Sequence, residues 1–125
     1  MDARLRQLVR QRAKNCCEYF GLHQEREPLT FHVEHIIARQ RGGTDSADDL
    51  ALACHHCNLH KGTNLAGIDR ESGQLTRLFH PRQDKWEAHF YRQGSRIIGL
   101  TSIGRVTAAL LRMNLDGRLE LPEAK

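Results

Sequence analysis

The stretch that most narrows what this chain can be is Cys54-His55-His56-Cys57-Asn58, running on to Lys61 and Gly62. Two cysteines three apart have metal-ligand spacing, and the segment predicts a short helix from near Cys54 to close to Gly62, where a left-handed cap residue suits the end. On that helix Cys54, Cys57 and Asn58 share one side, and Lys61 lies three residues beyond Asn58. Upstream, Phe31 to Ile37 is rich in β-branched and aromatic residues and predicts a strand carrying the acid–imidazole pair Glu34-His35. Arg39 to Ser46, with Gly42-Gly43, predicts a loop, and a return strand over Asp48 to Ala53 would complete a hairpin. An acid beside a histidine, then a thiol pair leading into Asn and Lys, is equipped to hold a metal and move a proton.

The other features bound the setting. A chain of 125 residues fits one domain with a modest core. Cys16 and Cys17 are adjacent and Cys54 and Cys57 have ligand spacing, so metal binding in a reducing compartment is a better use of the four cysteines than two disulfides. A thioredoxin-like use of the pair lacks its βαβ pattern. The balance of 19 Lys and Arg against 15 Asp and Glu, net +4, is compatible with a polyanionic partner. The charged N-terminus, MDARLRQLVRQRAK, lacks the apolar core of a signal peptide, and no stretch approaches membrane-spanning length. The expectation is a soluble, cytoplasmic protein with no membrane partner.

Along the remaining chain, Ala3 to Lys14 predicts an amphipathic helix with a basic outer face of Arg4, Arg6, Arg10, Arg12 and Lys14. Asn15 to Thr30 reads as a turn or knuckle. After Asn64 an extension is expected to pack on the core: a turn at Gly67 to Gly73, a strand at Leu75 to Phe79, a helical turn at Asp84 to Phe90 around Trp86, and a strand at Ser95 to Leu100. A last helix, capped by Thr101 or Ser102, runs to about Met113 with Ile103, Val106, Leu110 and Met113 as its apolar stripe.

Hydrolysis of a phosphodiester needs a nucleophilic water, a base, and positive charge on the phosphate and leaving oxygen. His35 has an intrinsic pKa of roughly 6.5, suited to the base, so activity is expected to fall below that pH. Glu34 and Asn58 offer oxygen ligands to a hard cation such as Mg²⁺, and Lys61, Arg39 and Arg41 offer positive charge for the phosphate. Strand alternation complicates this set, because Glu34 and His35 point to opposite faces unless the strand ends or bends there. By spacing alone a His32-Glu34 metal pair competes with the Glu34-His35 arrangement. His56 and His60 are also spaced for a transition metal, and are read as solvated side chains.

These residues resemble the HNH endonucleases, the ββα-metal nucleases, in a subgroup of small stand-alone bacterial proteins. The resemblance rests on Glu34-His35, Gly42-Gly43, Asp49-Leu50, Cys54-x-x-Cys57 and Asn58. It implies an α+β fold: a ββα-metal core over about 13–64, an N-terminal helix, and a strand and helix extension over about 65–125, all in one domain. It implies His35 as general base and Glu34 and Asn58 as ligands of catalytic Mg²⁺ or Mn²⁺, and by analogy 5′-phosphate products. Asp49 stands where the pattern has an Asn that orients the loop, and Glu34 where Asp is commoner.

Small proteins of this family often hold a structural Zn²⁺ with two Cys-x-x-Cys pairs. Here the ligands would be Cys17, Cys54 and Cys57, with Phe20 in the place of the fourth Cys, so zinc is either lost or completed by a nearby His such as His23. Leu78 to Arg82, Trp86, His89-Phe90, Gly67-Ile68-Asp69 and Gly99-Leu100-Thr101 resemble the segment that follows the nuclease core in the subgroup. The function so implied is metal-dependent hydrolysis of DNA. The alternative is a non-catalytic nucleic-acid-binding module that keeps the ββα shape.

Overall fold

The computed structural model describes residues 1–115. Its elements are the helix α1 (Ala3–Arg12), the strands β1 (His32–His35) and β2 (Leu50–Ala53), the helix α2 (His55–Lys61), the strands β3 (Ala66–Ile68) and β4 (Leu75–Arg77), the helical turn α3 (Trp86–His89), the strands β5 (Phe90–Gln93) and β6 (Arg96–Gly99), and the helix α4 (Ser102–Leu110). The fold is α+β, with three separate antiparallel strand pairs, β1-β2, β3-β4 and β5-β6.

The expected hairpin is present but shorter than the sequence pattern. Its register pairs His32 with Ala53 and His35 with Leu50. Ile36 leaves the ladder after one further backbone bond, from its N–H to the Asp49 carbonyl (2.7 Å), and a 3₁₀ turn over Ala47–Asp49 takes the start of the expected return strand. All four β2 residues are buried, as a strand covered on both faces must be. Leu50 and Leu52 are fully buried, each contributing roughly 1.5–3 kcal/mol relative to exposure. They join Tyr19, Phe20, Leu22, Phe31, Phe79, Phe90, Ile97, Leu111 and Met113 in a core cluster that spans the nuclease-like segment and the extension.

The helix α1 is capped by Asp2, whose carboxylate accepts the Leu5 N–H (2.8 Å). Its basic face is not uniformly outward. Arg10 donates to the Phe31 carbonyl (2.9 Å) and Arg12 to the Ala47 (2.7 Å) and Leu50 carbonyls. These two arginines satisfy backbone acceptors at the entry to each hairpin strand, while Arg4 and Arg6 stay exposed.

In the extension, Gly67 and Ile68 belong to β3 and only the residues after them form the turn. Phe90 to Gln93 forms β5, where a helical turn ending at Phe90 was expected to lead into a single strand. The last helix stops at Leu110, and Met113 still reaches the core because the Met113 N–H closes on the Ala108 carbonyl (3.0 Å). Among the described residues no helix is long and apolar enough to cross a membrane.

Candidate active site and thiol cluster

The cleft forms where β1 ends against α2. It has a volume of about 440 Å³, and Glu34, His35 and Asn58 all line it, together with His32 and Arg39. The alternation problem is resolved by position: His35 is the last residue of β1, and the chain bends over the next two residues. Glu34 turns inward, 8% exposed, and His35 stays half-buried. The structure therefore brings together the acid, the imidazole and the amide that the sequence singled out, and keeps the competing His32 in the same cleft.

His35 has a partner that sequence reasoning missed. Its Nε2 lies 2.7 Å from Asp45 Oδ1, and Arg39 Nη1 stands 3.2 Å from Asp45 Oδ2. The hydrogen bond from His35, reinforced by the charge of Arg39, holds the Asp45 carboxyl below the usual carboxylate range. An ionised carboxylate only accepts, so the shared hydrogen belongs to His35 Nε2, and Nδ1 is left as the basic nitrogen of the neutral ring. The available signal was Asp45 itself, an acidic residue just past the Gly-Gly loop, but nothing local ties it to His35.

Lys61 lies beneath the cleft instead of on its surface. It is 2% exposed, and its ammonium donates to the His35 carbonyl (3.4 Å) and stands 3.8 Å from Glu34 Oε2. It acts as the counter-charge of Glu34, so the expected phosphate contact from Lys61 is not what this geometry offers. Arg39 is 68% exposed at the rim and Arg41 is exposed on the same turn without lining the cleft.

Glu34 is the electrostatically demanding group. Burial pushes its carboxyl up to about 7 against the pull of Lys61 and the nearby Tyr19 hydroxyl. The Tyr19 contact falls short of a hydrogen bond, since that hydroxyl and Glu34 Oε1 are both buried without a hydrogen-bond partner. A buried carboxylate oxygen with no donor is costly unless a cation or water meets it. The residues present thus fit a hard cation held by Glu34 and Asn58.

The loop between the strands is held shut from Asp49. Its carboxylate accepts the N–H groups of Ile37 (2.9 Å) and Thr44 (3.2 Å), so the departure from Asn keeps the loop-orienting bonds. Gly43 packs so closely that an added Cβ would sit 1.6 Å from the Ile37 carbonyl oxygen and 2.7 Å from Asp49 Oδ2. At the far end of α2, Gly62 has φ 52° and ψ −131°. This is a positive-φ conformation suited to glycine but outside the left-handed helical basin expected for the cap.

At the N-terminal end of α2 the sulfurs of Cys17, Cys54 and Cys57 lie within 4.8 Å of one another, all buried. Burial pushes the Cys17 thiol up to about 12 and the Cys57 thiol well above its ordinary value. Phe20, at the sequence position of a fourth ligand, packs into the core, and its backbone N–H donates to Cys17 Sγ (3.4 Å). His23 does not complete the set; its Nδ1 accepts the Glu25 N–H (3.1 Å), and it lies outside the thiol group. Cys16 also stays apart, with its thiol toward the Lys14 carbonyl (3.6 Å). The cluster offers a metal ion three thiolates, not the four protein ligands of a structural zinc site.

A larger cavity of about 620 Å³ lies beside Arg12, Glu18, Asp84, Trp86 and Arg92. Most of its charged groups are already engaged: Glu18 with Arg82, Asp84 with Arg77, and Arg92 with the Phe20 carbonyl. Chemistry, and not volume, singles out the smaller cleft.

No curated protein and no solved structure matches the chain. Residues 16–64 match the family described as HNH endonuclease. That span contains the β1-β2 hairpin, the glycine loop, α2, the cleft and all three clustered thiols. Over residues 16–64 the chain is therefore similar to the HNH endonucleases.

Proposed function

We propose that this protein is a metal-dependent endonuclease that hydrolyses phosphodiester bonds in DNA. The observation that carries the reading is the convergence of Glu34, His35 and Asn58 on one cleft, with His35 Nε2 held by Asp45. In this reading His35 Nδ1 takes the proton from the attacking water, while Asp45 keeps the ring in the tautomer that allows it and stabilises the imidazolium that forms. Glu34 and Asn58 hold Mg²⁺ or Mn²⁺, which when bound supplies positive charge to the phosphate and the leaving oxygen. Lys61 lowers the cost of keeping Glu34 charged in its buried position. Arg39, at the rim, pairs with a substrate phosphate, and Arg41 and the exposed Arg4 and Arg6 extend the positive surface along which a polyanion is drawn in.

The thiol cluster takes no part in this chemistry. As a metal site it suits a soft ion on three sulfurs, and as packing it already belongs to the core. The shared core, to which the extension contributes Phe79, Phe90, Ile97, Leu111 and Met113, supports reading the chain as one domain.

The test is nicking of supercoiled plasmid with Mg²⁺ or Mn²⁺ present and absent. Loss of His35 as general base in His35→Ala is expected to lower metal-dependent nicking by about 10²–10⁴-fold, with the circular dichroism spectrum unchanged. Equal nicking by the variant would remove His35 from the mechanism. Salt-dependent DNA binding by wild type with no cleavage in either metal would leave a binding module in place of an enzyme.

A further inference from the structure

His32, which lines the cleft, and His55, which contacts His32, are not used by the mechanism above. His32 opens β1 and His55 opens α2, and both side chains are exposed. The hairpin register sets the pair: His32 lies opposite Ala53, two residues before His55, so the chain turning from β2 into α2 carries the second imidazole over the first. His32 Nε2 lies 3.3 Å from His55 Nδ1, with ring centroids 5.6 Å apart and planes inclined by 38°.

That separation lets one imidazole donate a long hydrogen bond to the other, the tautomer setting which, and the same spacing suits two nitrogens on one tetrahedral ion. Two nitrogens each about 2.0–2.1 Å from Zn²⁺, at the tetrahedral angle, are about 3.3–3.4 Å apart. Imidazole nitrogens suit Zn²⁺, Ni²⁺ and Cu²⁺, whereas Mg²⁺ prefers oxygen. The cleft therefore has two ligand sets of different character: oxygens at Glu34 and Asn58, and nitrogens at the rim.

We propose that His32 and His55 form a transition-metal site, selective for Zn²⁺-class ions over Mg²⁺, at the mouth of the cleft. With two protein ligands, two positions of a tetrahedron stay open, and because His32 lines the cleft they are within reach of water or of a phosphate oxygen. The site is separate from the thiol cluster and from the helical pair His56 and His60. Those two rings are 4.5 Å apart, but His56 Nε2 already donates to the Arg112 carbonyl (2.9 Å).

The test uses the untagged full chain and Co²⁺ as a spectroscopic probe of the Zn²⁺ class, with bound equivalents counted by equilibrium dialysis in millimolar Mg²⁺. The thiolate-to-cobalt band in the near ultraviolet reports the cysteine cluster separately. His32→Ala and His55→Ala are each expected to weaken one class of Co²⁺ site at least tenfold and leave the thiolate band unchanged, with the double variant no weaker than the singles. Because the readout is metal binding, it holds whether or not the chain cuts DNA. Unchanged uptake in both single variants overturns the site, as does loss of that equivalent only in His60→Ala or its displacement by Mg²⁺.

Discussion

The two ends of α2, a helix of seven residues, are chemically opposite. At the first, Cys54 and Cys57 close with Cys17 against the core, and burial pushes the Cys17 and Cys57 thiols up. At the second, Asn58 lines a cleft of about 440 Å³ with Glu34 and His35 while Lys61 lies beneath it against Glu34, and a buried carboxylate oxygen has no donor. The difference lies in what the rest of the chain supplies. Around the thiols the extension provides protein contacts: Trp86 Nε1 donates to the Tyr19 carbonyl (2.8 Å), and Arg92 lies over the Phe20 ring (5.2 Å) and donates to the Phe20 carbonyl. The knuckle around Cys17 is thus pinned by side chains on the face where a zinc ligand is missing. In the cleft no comparable contact reaches Glu34 Oε1.

The comparison breaks most directly under chelation. If only the cleft depends on a cation, excess EDTA abolishes plasmid nicking while the thermal midpoint stays put. A fall in midpoint of many degrees with the loss of a stoichiometric metal would show that the thiol end depends on one too. The converse disturbance is Trp86→Ala, which removes the bond to Tyr19 and the ring stacked on Phe90 at 5.2 Å. Truncating this half-buried ring should cost about 3 kcal/mol in urea unfolding, and a cost below about 1 kcal/mol would mean that the extension does not hold the knuckle.

A finer division runs through the cleft. Asp45→Asn keeps the size of the side chain and removes the charge that fixes the His35 tautomer. Turnover should fall about 10–100-fold, as for other partners that orient a functional histidine, with KM and thermal midpoint little changed. An unaltered turnover would reduce the Asp45 contact to surface pairing.

Much of this division was legible in the sequence, for reasons of range. Glu34, His35, Asn58 and the thiol pair lie on short elements whose periodicity and spacing are local, and the hairpin and α2 followed from them. Asp45 was missed because its link to His35 closes across the loop. The inward turn of Lys61 was missed because burial is a property of the packed whole. Phe20 was recognised as a departure, but the contacts around it come from Trp86 and Arg92, far along the chain. Strand β5 was missed because Phe90 to Gln93 gains its ladder only when Arg96 to Gly99 folds back on it.

The smallest effect tests the loop that both regions share. Asp49 uses both carboxylate oxygens, Oδ1 on the Ile37 N–H and Oδ2 on the Thr44 N–H, and Gly43 packs against Oδ2. In Asp49→Asn one oxygen becomes an NH₂ group that cannot accept, so one backbone donor loses its partner. That donor is most readily Thr44, whose bond is the longer and whose position is exposed enough for water to replace it. The expected cost is about 0.5–1.5 kcal/mol, a shift of a few degrees, with nicking kept because Ile37 still holds the strand end that carries His35. A loss of activity without a loss of stability would mean that the Thr44 bond, and through it the path from Thr44 to Asp45, is what positions the imidazole.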